Sequence, residues 1–417
     1  MGKHKFSTFI VLGLLIASII ALDVYRQYQF GSEKGEIVLN VLYTSEKKGW
    51  INSIAPEFPE WFSNRNPEKK VRLRFEIQGT RTSMLSILSG ESKPAIWSPA
   101  ASVWIPLFDW AWENKFGDSI LNYNQIKSLV ASPIIIGTWE SFQEENNFTS
   151  WQDLYTLADI NLKLAHTSAQ ESNSGFMAVL LEVSAACGKP PDQILLQDLE
   201  NTTIQSWLEK VESKAVLYGT STGFLAKQAV QLGPSAINVV ILYENLIIET
   251  ARDGEAFAKW GENLVAVYPD EGTLWSDHPI AILNASWVSP EEAFAASEFE
   301  KYLLSKEVQL QAVPFGFRPG NETLVNDTDT INEMQQVFKT ESGVSLNITI
   351  PRFNTPTDGK LLDRIPDLWL KTRATTLERD EDAEYWQVGL ELSTILQLTL
   401  GTLIILAVFR KRRRVRK

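Results

Sequence analysis

The sequence contains few of the residues that build disulfide frameworks and metal centres. Among 417 residues it has one cysteine, Cys187, and three histidines. A single cysteine excludes an intrachain disulfide and a thiolate metal cluster, and three histidines are few for a histidine-rich metal site. Low-complexity runs are also missing, and 44% of the residues are hydrophobic, which excludes a largely disordered chain. We therefore expect a folded protein, and we predict neither a cofactor nor a metal ion.

An excess of basic residues is absent as well. The formal net charge is −12, which argues against a nucleic acid as a partner because nucleic-acid binders present basic surfaces. Nine of the 39 lysine and arginine residues lie in residues 3–5 and 410–417, whereas one of the 51 acidic residues lies outside residues 23–390. The body of the chain, residues 23–390, therefore carries a charge of about −20, which favours solubility.

Two uncharged apolar stretches lie near the ends of the chain. Residues 6–22 follow a basic start, and we predict a membrane anchor or a cleaved signal segment over residues 1–23. Residues 392–409 contain no charged side chain and precede a basic tail, residues 410–417. Because cations resist translocation, we predict a transmembrane helix at 388–409, contact with membrane lipids, and both termini in the cytoplasm. The body would then lie outside the cytoplasm, at the cell membrane.

The body alternates short apolar segments with amphipathic ones. The apolar segments are typical of strands covered by helices on both faces, and we predict strands at residues 36–44, 71–79, 95–98, 133–139, 162–166, 215–218, 237–243, 264–268 and 280–285. We predict helices at residues 82–88, 151–157, 175–186, 204–211, 224–232 and 291–312. The alternation predicts an α/β fold with largely parallel sheets, and its length suits two lobes.

Residues 321–387 have a weaker pattern. They carry several prolines and two modest amphipathic segments, at 331–338 and 361–370. We predict a packed extension here, followed by a charged stalk at residues 373–384 that leads to the membrane.

Four predicted strands run into turns of serine, threonine and glycine. The turns follow at Thr44-Ser45, at residues 79–83, at residues 167–175 and at residues 219–223. Any one of them is also explained by helix N-capping. In parallel α/β sheets, ligands bind beyond the carboxyl ends of strands, where helix starts present unpaired N–H groups. Four such turns in one chain therefore favour a polar ligand site.

Five segments of the body resemble bacterial extracellular solute-binding proteins: residues 93–104, 132–139, 172–176, 268–279 and 316–319. Their order and spacing are similar to the molybdate-binding-protein-like branch, especially to the solute-binding halves of von Willebrand A-type proteins. The chain departs from that group because a predicted membrane helix stands where a von Willebrand domain would follow. It also has no metal-ion-dependent adhesion motif.

The resemblance implies a two-lobed type II periplasmic-binding-protein fold that closes over a solute. Lobe one would comprise residues 36–132 plus 280–320, and lobe two residues 133–279. The solute would be an oxyanion or a small organic molecule, an ABC permease would be a partner, and no enzymatic activity is implied. Carried over to this sequence, the solute-contacting residues are Ser45, Thr80, Ser98, Ser172, Ser174, Thr222 and Tyr243.

Two other functions stay open. Residues 219–223 match the G-x-S-x-G nucleophile pattern, and His278 follows downstream with Asp253 or Asp270 between, which is the chain order of α/β-hydrolases. No oxyanion-type glycine segment precedes the pattern, however. A non-transport surface sensor or assembly scaffold is the other alternative, because a chain anchored at both ends cannot diffuse freely to a permease.

Overall fold

The structure is a computed structural model that describes residues 35–379. The predicted anchor at 1–23, the predicted transmembrane helix at 388–409 and the basic tail at 410–417 lie outside the described residues. Between residues 35 and 379, no helix combines the length and the apolar composition that crossing a bilayer requires.

Twelve strands form in the described part of the chain. They are β1 (Glu36–Tyr43), β2 (Lys70–Ile77), β3 (Ile96–Ser98), β4 (Lys127–Ser128), β5 (Val130–Trp139), β6 (Leu164–Thr167), β7 (Ala215–Gly219), β8 (Val239–Tyr243), β9 (Leu264–Val267), β10 (Trp275–Ser276), β11 (Pro279–Ile282) and β12 (Arg318–Pro319). All nine predicted strands are confirmed, with ends that differ by at most three residues. The other strands, β4, β10 and β12, have two residues each, too few to give a hydrophobic pattern.

Sixteen α-helices form in the same residues. They are α1 (Lys48–Ile54), α2 (Phe58–Arg65), α3 (Thr80–Ser89), α4 (Trp104–Phe116), α5 (Glu140–Asn146), α6 (Asp153–Leu157), α7 (Asn173–Cys187), α8 (Leu196–Leu199), α9 (Thr202–Glu212), α10 (Thr222–Leu232), α11 (Glu244–Asp253), α12 (Glu255–Trp260), α13 (Pro290–Leu303), α14 (Lys306–Leu310), α15 (Thr328–Val337) and α16 (Gly359–Arg379). Both modest helices of the extension are confirmed as α15 and α16, and α16 continues through the first part of the predicted stalk.

The prediction of one helix over residues 291–312 is wrong at its centre. The predicted start is confirmed, because Ser289 and Glu292 form a capping box. The chain leaves the helix at Ser305, whose backbone is extended at φ −67° and ψ 150°. The Ser305 hydroxyl donates to the carbonyl oxygen of Tyr302 at 2.8 Å. A serine hydroxyl that satisfies a helix-end carbonyl competes with the helical backbone, and a second helix, α14, begins at Lys306.

The described residues divide into two compact units. Unit 1 comprises residues 35–133 and Trp275–Thr340, and unit 2 comprises Ile134–Leu274 and residues 341–379. Strand β5 belongs to both, since the division falls between Pro133 and Ile134. Residues 321–340 of the predicted extension group with unit 1 and residues 341–379 with unit 2. The lobe bounds taken from the resemblance stay a prediction.

The sheet of unit 1 has the strand order β2-β1-β3-β11-β4. Strand β1 is parallel to β2 and β3, whereas β11 is antiparallel to β3 and β4. The core beside this sheet is aromatic, and the Phe58 ring lies 4.8 Å from the Phe299 ring and 5.4 Å from the Tyr302 ring. Aromatic pairs at such distances add to the burial of apolar area, so they fix α2 and α13 against each other.

The sheet of unit 2 has the order β5-β8-β6-β7, and β9 pairs with β5 as well. Strand β6 is parallel to β7 and β8, whereas β5 is antiparallel to β8 and β9. All five residues of β8 are buried, and α7 buries twelve of its fifteen residues. The apolar, non-alternating pattern in the sequence therefore reflects burial on more than one face.

Gly175 lets α7 begin directly against β6. A Cβ atom at Gly175 would lie 2.0 Å from the carbonyl oxygen of Thr167 and 2.6 Å from its carbonyl carbon. Both are backbone atoms, which cannot rotate away as a side chain can. Only glycine therefore permits this contact between the start of α7 and the end of β6.

Gly175→Ala is expected to lower the free energy of unfolding by about 1–3 kcal/mol, because the new methyl group overlaps backbone atoms. Gly223→Ala is the matched control, since Gly223 also lies in the first turn of a helix of unit 2, but a Cβ atom there would have no neighbour within 4 Å. At Gly223 the helix propensity of alanine predicts a gain of at most about 1 kcal/mol. Chemical denaturation of the full chain measures both, and equal stabilities would contradict the close contact.

Candidate functional site

In unit 1, three parallel strands end side by side. Strands β1, β2 and β3 end at Tyr43, Ile77 and Ser98, and the register pairs Tyr43 with both of the others. After each of these strands the chain continues into a helical segment. We call residues 44–47, 78–80 and 98–103 the unit 1 edge; it contains three predicted site residues, Ser45, Thr80 and Ser98.

Thr80 and Ser98 hold turns of the unit 1 edge in place. The Oγ1 atom of Thr80 accepts a hydrogen bond of 3.2 Å from the backbone N–H of Ala100. The hydroxyl of Ser98 donates one of 2.7 Å to the carbonyl oxygen of Pro279. Both side chains are buried, whereas Ser45 is exposed. Because a hydroxyl has one proton and two lone pairs, Thr80 keeps its proton for a further bond, and Ser98 keeps only acceptor capacity.

A buried lysine, Lys47, joins two turns of the unit 1 edge. Its side chain is 0% exposed, and its Nζ donates to Thr44 Oγ1 at 3.0 Å and to the carbonyl oxygens of Ser98 and Pro99 at 3.0 and 3.3 Å. Burial lowers the pKa of the Lys47 amine to about 7, although two nearby carboxylates oppose this shift. The amine is thus committed to protein oxygens.

His278 contacts the same amine. Its Nδ1 lies 3.4 Å from Lys47 Nζ, and its Nε2 lies 3.3 Å from the hydroxyl oxygen of Ser276, which itself donates to the carbonyl oxygen of Ala100. These contacts assign a neutral ring with the proton on Nε2. Burial, and then the Lys47 charge, hold the pKa of His278 well below its ordinary value. The His278 backbone has φ +42°, a region that residues other than glycine rarely adopt.

Asp277 anchors the turn that follows β3. Its carboxylate accepts from the Ser102 N–H at 2.7 Å, from the Ser102 hydroxyl at 2.6 Å and from the Ser128 hydroxyl at 3.1 Å. Residues 276–278 therefore hold residues 98–103 in position. Two of the segments that carry the family resemblance, 93–104 and 268–279, are connected by these bonds.

In unit 2, the parallel strands β6, β7 and β8 end at Thr167, Gly219 and Tyr243, and helices α7, α10 and α11 begin shortly after them. We call residues 167–174, 219–222 and 243–245 the unit 2 edge. Because the first N–H groups of each helix have no partner within the helix, this edge presents several backbone donors. It contains four predicted site residues: Ser172, Ser174, Thr222 and Tyr243.

Three hydroxyls of the unit 2 edge form a chain. The Oγ atom of Ser174 lies 2.7 Å from Thr167 Oγ1 and 2.7 Å from Thr222 Oγ1, and Ser172 Oγ lies 3.4 Å from Ser174 Oγ. The three contacts among Thr167, Ser172, Ser174 and Thr222 use three of their four protons. One O–H of these four hydroxyls therefore remains for a further hydrogen bond.

Tyr243 and its neighbour Glu244 are also engaged. The Tyr243 hydroxyl oxygen accepts from the side-chain amide of Asn173 at 2.9 Å. Glu244 is 0% exposed and accepts a hydrogen bond from the Tyr268 hydroxyl. A buried carboxylate at the unit 2 edge repels an anion, so the hydroxyl chain and the helix starts are better placed than Glu244 to hold one.

The residues of the hydrolase alternative have other roles. Ser221 is the N-cap of α10, and its Oγ accepts from the Phe224 N–H at 3.4 Å. His278 is 1% exposed, and its two ring nitrogens face Lys47 and Ser276 in unit 1. A general base needs a nitrogen that is available to the nucleophile, so this geometry does not support a nucleophile and base pair.

Unit 1 also contains a hollow of about 500 Å³ that is lined by none of the residues of the unit 1 edge. Residues of α1, α2, β1 and β2 line it, among them Asn52, Pro59, Arg72 and Phe75. None of the seven predicted solute-contacting residues is among its lining residues, and we do not assign the solute to it.

The structure brings Ser172, Ser174 and Thr222 together at one edge and places Tyr243 there as well. It places Ser45, Thr80 and Ser98 at the other edge without direct bonds between their side chains in the described contacts. Lys47, Thr167 and Asn173 were not predicted as solute-contacting residues, although each makes a central contact of its edge. For Lys47 the only signal was its position two residues after Ser45 in a turn that follows a strand.

Replacing Lys47 tests its buried amine. Since the folded pKa is about 7 against an ordinary value of 10.5, the unfolded chain holds a proton between these pH values that the folded chain lacks. The free energy of unfolding of the wild type should therefore rise between pH 7 and 9.5, by up to ~1.4 kcal/mol per pH unit, relative to Lys47→Met. Lys48→Met, at an exposed position, should keep the wild-type slope. Chemical denaturation at several pH values measures these slopes. Identical slopes for all three chains would contradict a lowered pKa of Lys47.

A family model described as bacterial extracellular solute-binding protein matches residues 39–318, which is more than half of the chain. No curated protein matches. The match confirms the resemblance seen in the sequence, and it assigns the chain to a family of binding proteins and not to an enzyme class.

Several solved structures share the fold. The chain is similar to an ABC transporter protein from Clostridium perfringens (15% identity, TM-score 0.54, covering 80% of this chain and 98% of that one). It is similar to a ferric binding protein from Campylobacter jejuni (14% identity, TM-score 0.54, covering 80% and 99%). A periplasmic thiamin binding protein matches at 11% identity and a TM-score of 0.52, covering 82% and 98%. These likenesses confirm the predicted α/β periplasmic-binding-protein fold. The chain belongs to the bacterial extracellular solute-binding protein family.

Proposed function

We propose that this protein captures a small solute outside the cytoplasm and passes it to an ABC-type transporter, while membrane segments tether it. The observation that carries the proposal is the chain of three buried hydroxyls, Thr167, Ser174 and Thr222, at the carboxyl edge of the unit 2 sheet. Such an edge is where ligands bind in parallel α/β folds. The family description and the fold of the C. perfringens ABC transporter protein support the same role.

The solute would contact both edges. From the unit 1 edge Ser45, Thr80 and Ser98 would contribute, and from the unit 2 edge Ser172, Ser174, Thr222 and Tyr243. The lobes would comprise residues 36–132 with 280–320, and residues 133–279.

The available groups define the class of solute. Thr80 and one hydroxyl of the unit 2 edge can each donate a hydrogen bond to the solute, and Ser98 can accept one. The helix starts of the unit 2 edge add backbone N–H donors. Lys47 is bound to protein carbonyls, and the Glu244 carboxylate would repel a negatively charged group placed beside it. This set suits a small organic molecule rich in oxygen, or an oxyanion held by N–H groups.

The membrane segments would lie at residues 1–23 and 388–409, with the basic tail 410–417 in the cytoplasm. The proposal follows from the absence of charge in residues 6–22 and 392–409 and from the resistance of clustered cations to translocation. Two anchors are also what motivates the alternative of a non-transport sensor or scaffold, which would bind a solute without a permease.

Solute binding is tested with the full chain purified in a mild detergent. A panel of oxyanions, sugars and amino acids should contain at least one compound that raises the unfolding temperature. Thr222→Val should then raise the dissociation constant of that compound about tenfold, because one hydrogen bond to it is lost. Thr202→Val, which removes an exposed hydroxyl of unit 2 outside the unit 2 edge, should bind as the wild type does. Unchanged affinity in Thr222→Val would place the solute elsewhere, and a panel without any hit would favour the scaffold.

The topology is tested by cysteine labelling in intact cells, in a Cys187→Ser background. Asp253→Cys, at an exposed position of unit 2, should react with a membrane-impermeant maleimide. Val415→Cys in the basic tail should react only after the membrane is permeabilised. Labelling of Val415→Cys in intact cells would contradict the cytoplasmic tail.

A further inference from the structure

Unit 2 contains a buried cluster of ligand-type side chains outside the unit 2 edge. His166, Glu182 and Glu212 come from β6, α7 and α9, and one nitrogen or oxygen atom of each lies within 4.8 Å of the others. Their exposed fractions are 0%, 0% and 3%. The residues are far apart in the sequence and show no metal-ligand spacing, and no metal ion was expected because cysteine and histidine are scarce.

The His166 ring is oriented for coordination. Its Nδ1 donates to the backbone carbonyl oxygen of Thr167 at 2.8 Å, so Nε2 is the ring atom that could bind an ion in place of a proton. That atom lies 3.0 Å from Glu212 Oε1. Metal-binding histidines usually donate their second ring N–H to a carbonyl or a carboxylate in this way, because the bond fixes both the tautomer and the ring.

Glu212 is held by two donors on its other oxygen. The Oε2 atom accepts from the Tyr218 hydroxyl at 2.6 Å and from the Trp369 indole N–H at 3.1 Å. These bonds leave Oε1 facing His166. Trp369 belongs to α16, so the orientation of Glu212 depends on the packing of that helix.

Glu182 supplies the observation that a hydrogen-bonded ion pair does not explain. It is fully buried, and neither of its oxygens makes a hydrogen bond of normal geometry with the described residues; the Glu212 carboxyl lies beside it, but two carboxyls can hydrogen-bond only when one of them carries a proton. The Glu212 carboxyl is its charged neighbour. A buried carboxylate beside a second carboxylate is unfavourable unless a cation, or a proton, compensates the charge.

We propose that His166, Glu182 and Glu212 bind one divalent transition-metal ion, for which zinc is the probe. Two carboxylates and a neutral imidazole together carry a charge of −2, which a divalent ion neutralises. One imidazole nitrogen with carboxylate oxygens is a donor set that zinc accepts, and the absence of sulfur ligands in this cluster disfavours copper(I). The ion would join β6, α7 and α9 in the core of unit 2 and so stabilise it.

The first experiment measures metal in the full chain, purified in detergent without a histidine tag after expression with zinc. About one zinc per chain should remain after dialysis, and zinc should raise the unfolding temperature relative to a metal-free buffer with a chelator. Glu182→Gln, which keeps the side-chain volume, should lose both the bound zinc and the temperature shift. Glu200→Gln is the matched control, because Glu200 is an exposed acidic residue of the same unit.

Two further measurements separate coordination from a merely structural role. Trp369→Phe removes a donor to Glu212 and should weaken zinc affinity about 10–100-fold. Cobalt(II) bound in place of zinc should give visible d–d absorption that Glu182→Gln abolishes. A zinc-free wild type that unfolds at the same temperature with zinc and with chelator would overturn the proposal, and a proton shared by the two carboxyls would replace the ion. Equal zinc content in wild type and Glu182→Gln would overturn it too. If Glu182→Gln does not fold, the wild-type measurements alone decide.

Discussion

The turns after the parallel strands contain backbone polar groups that the strand ladder does not pair, and at the unit 1 edge side chains satisfy several of them. In unit 1, Lys47 binds two carbonyl oxygens of the turn after β3, and Thr80 accepts a backbone N–H of the same turn. Each bond of this kind removes a donor or a lone pair that a solute would otherwise use. The internal bonds therefore determine which groups are left for recognition.

Lys47 shows how this constraint affects specificity. A lysine at the carboxyl edge of a sheet would ordinarily be the first candidate for binding an anion. Here its amine is surrounded by protein oxygens and by His278 Nδ1, and burial lowers its pKa to about 7, so both its protons and its charge are poorly available to a solute. Recognition of an oxyanion at this edge would then depend on N–H groups and on the Thr80 hydroxyl, which are weaker and more directional partners than an ammonium group.

The sequence predicted the strands well because most of them are short apolar runs bounded by polar turns, as in β8, whereas β2 alternates charged and apolar residues. The sequence also predicted which turns form the two edges, because hydroxyl-rich turns follow the strands. It did not separate hydroxyls that bind neighbours from hydroxyls that remain available, since Ser98 and Thr80 look alike in sequence and differ only in which partner the fold brings near. Lys47 and Glu182 were missed for a related reason: burial of a charged side chain depends on long-range packing that local pattern does not contain.

Strand β6 and helix α7 are connected at two places, and this double connection fixes the start of α7 at the unit 2 edge. At the edge, Thr167 bonds Ser174; further along, His166 and Glu182 meet in the buried cluster. Successive residues of a strand point to opposite faces, so His166 and Thr167 engage α7 in different surroundings. Gly175 allows the start of α7 to approach the carbonyl group of Thr167 closely. A helix held at two points resists rotation about either one, which keeps the Ser174 hydroxyl in place; the solute that we propose for this edge would then have less side-chain ordering to impose.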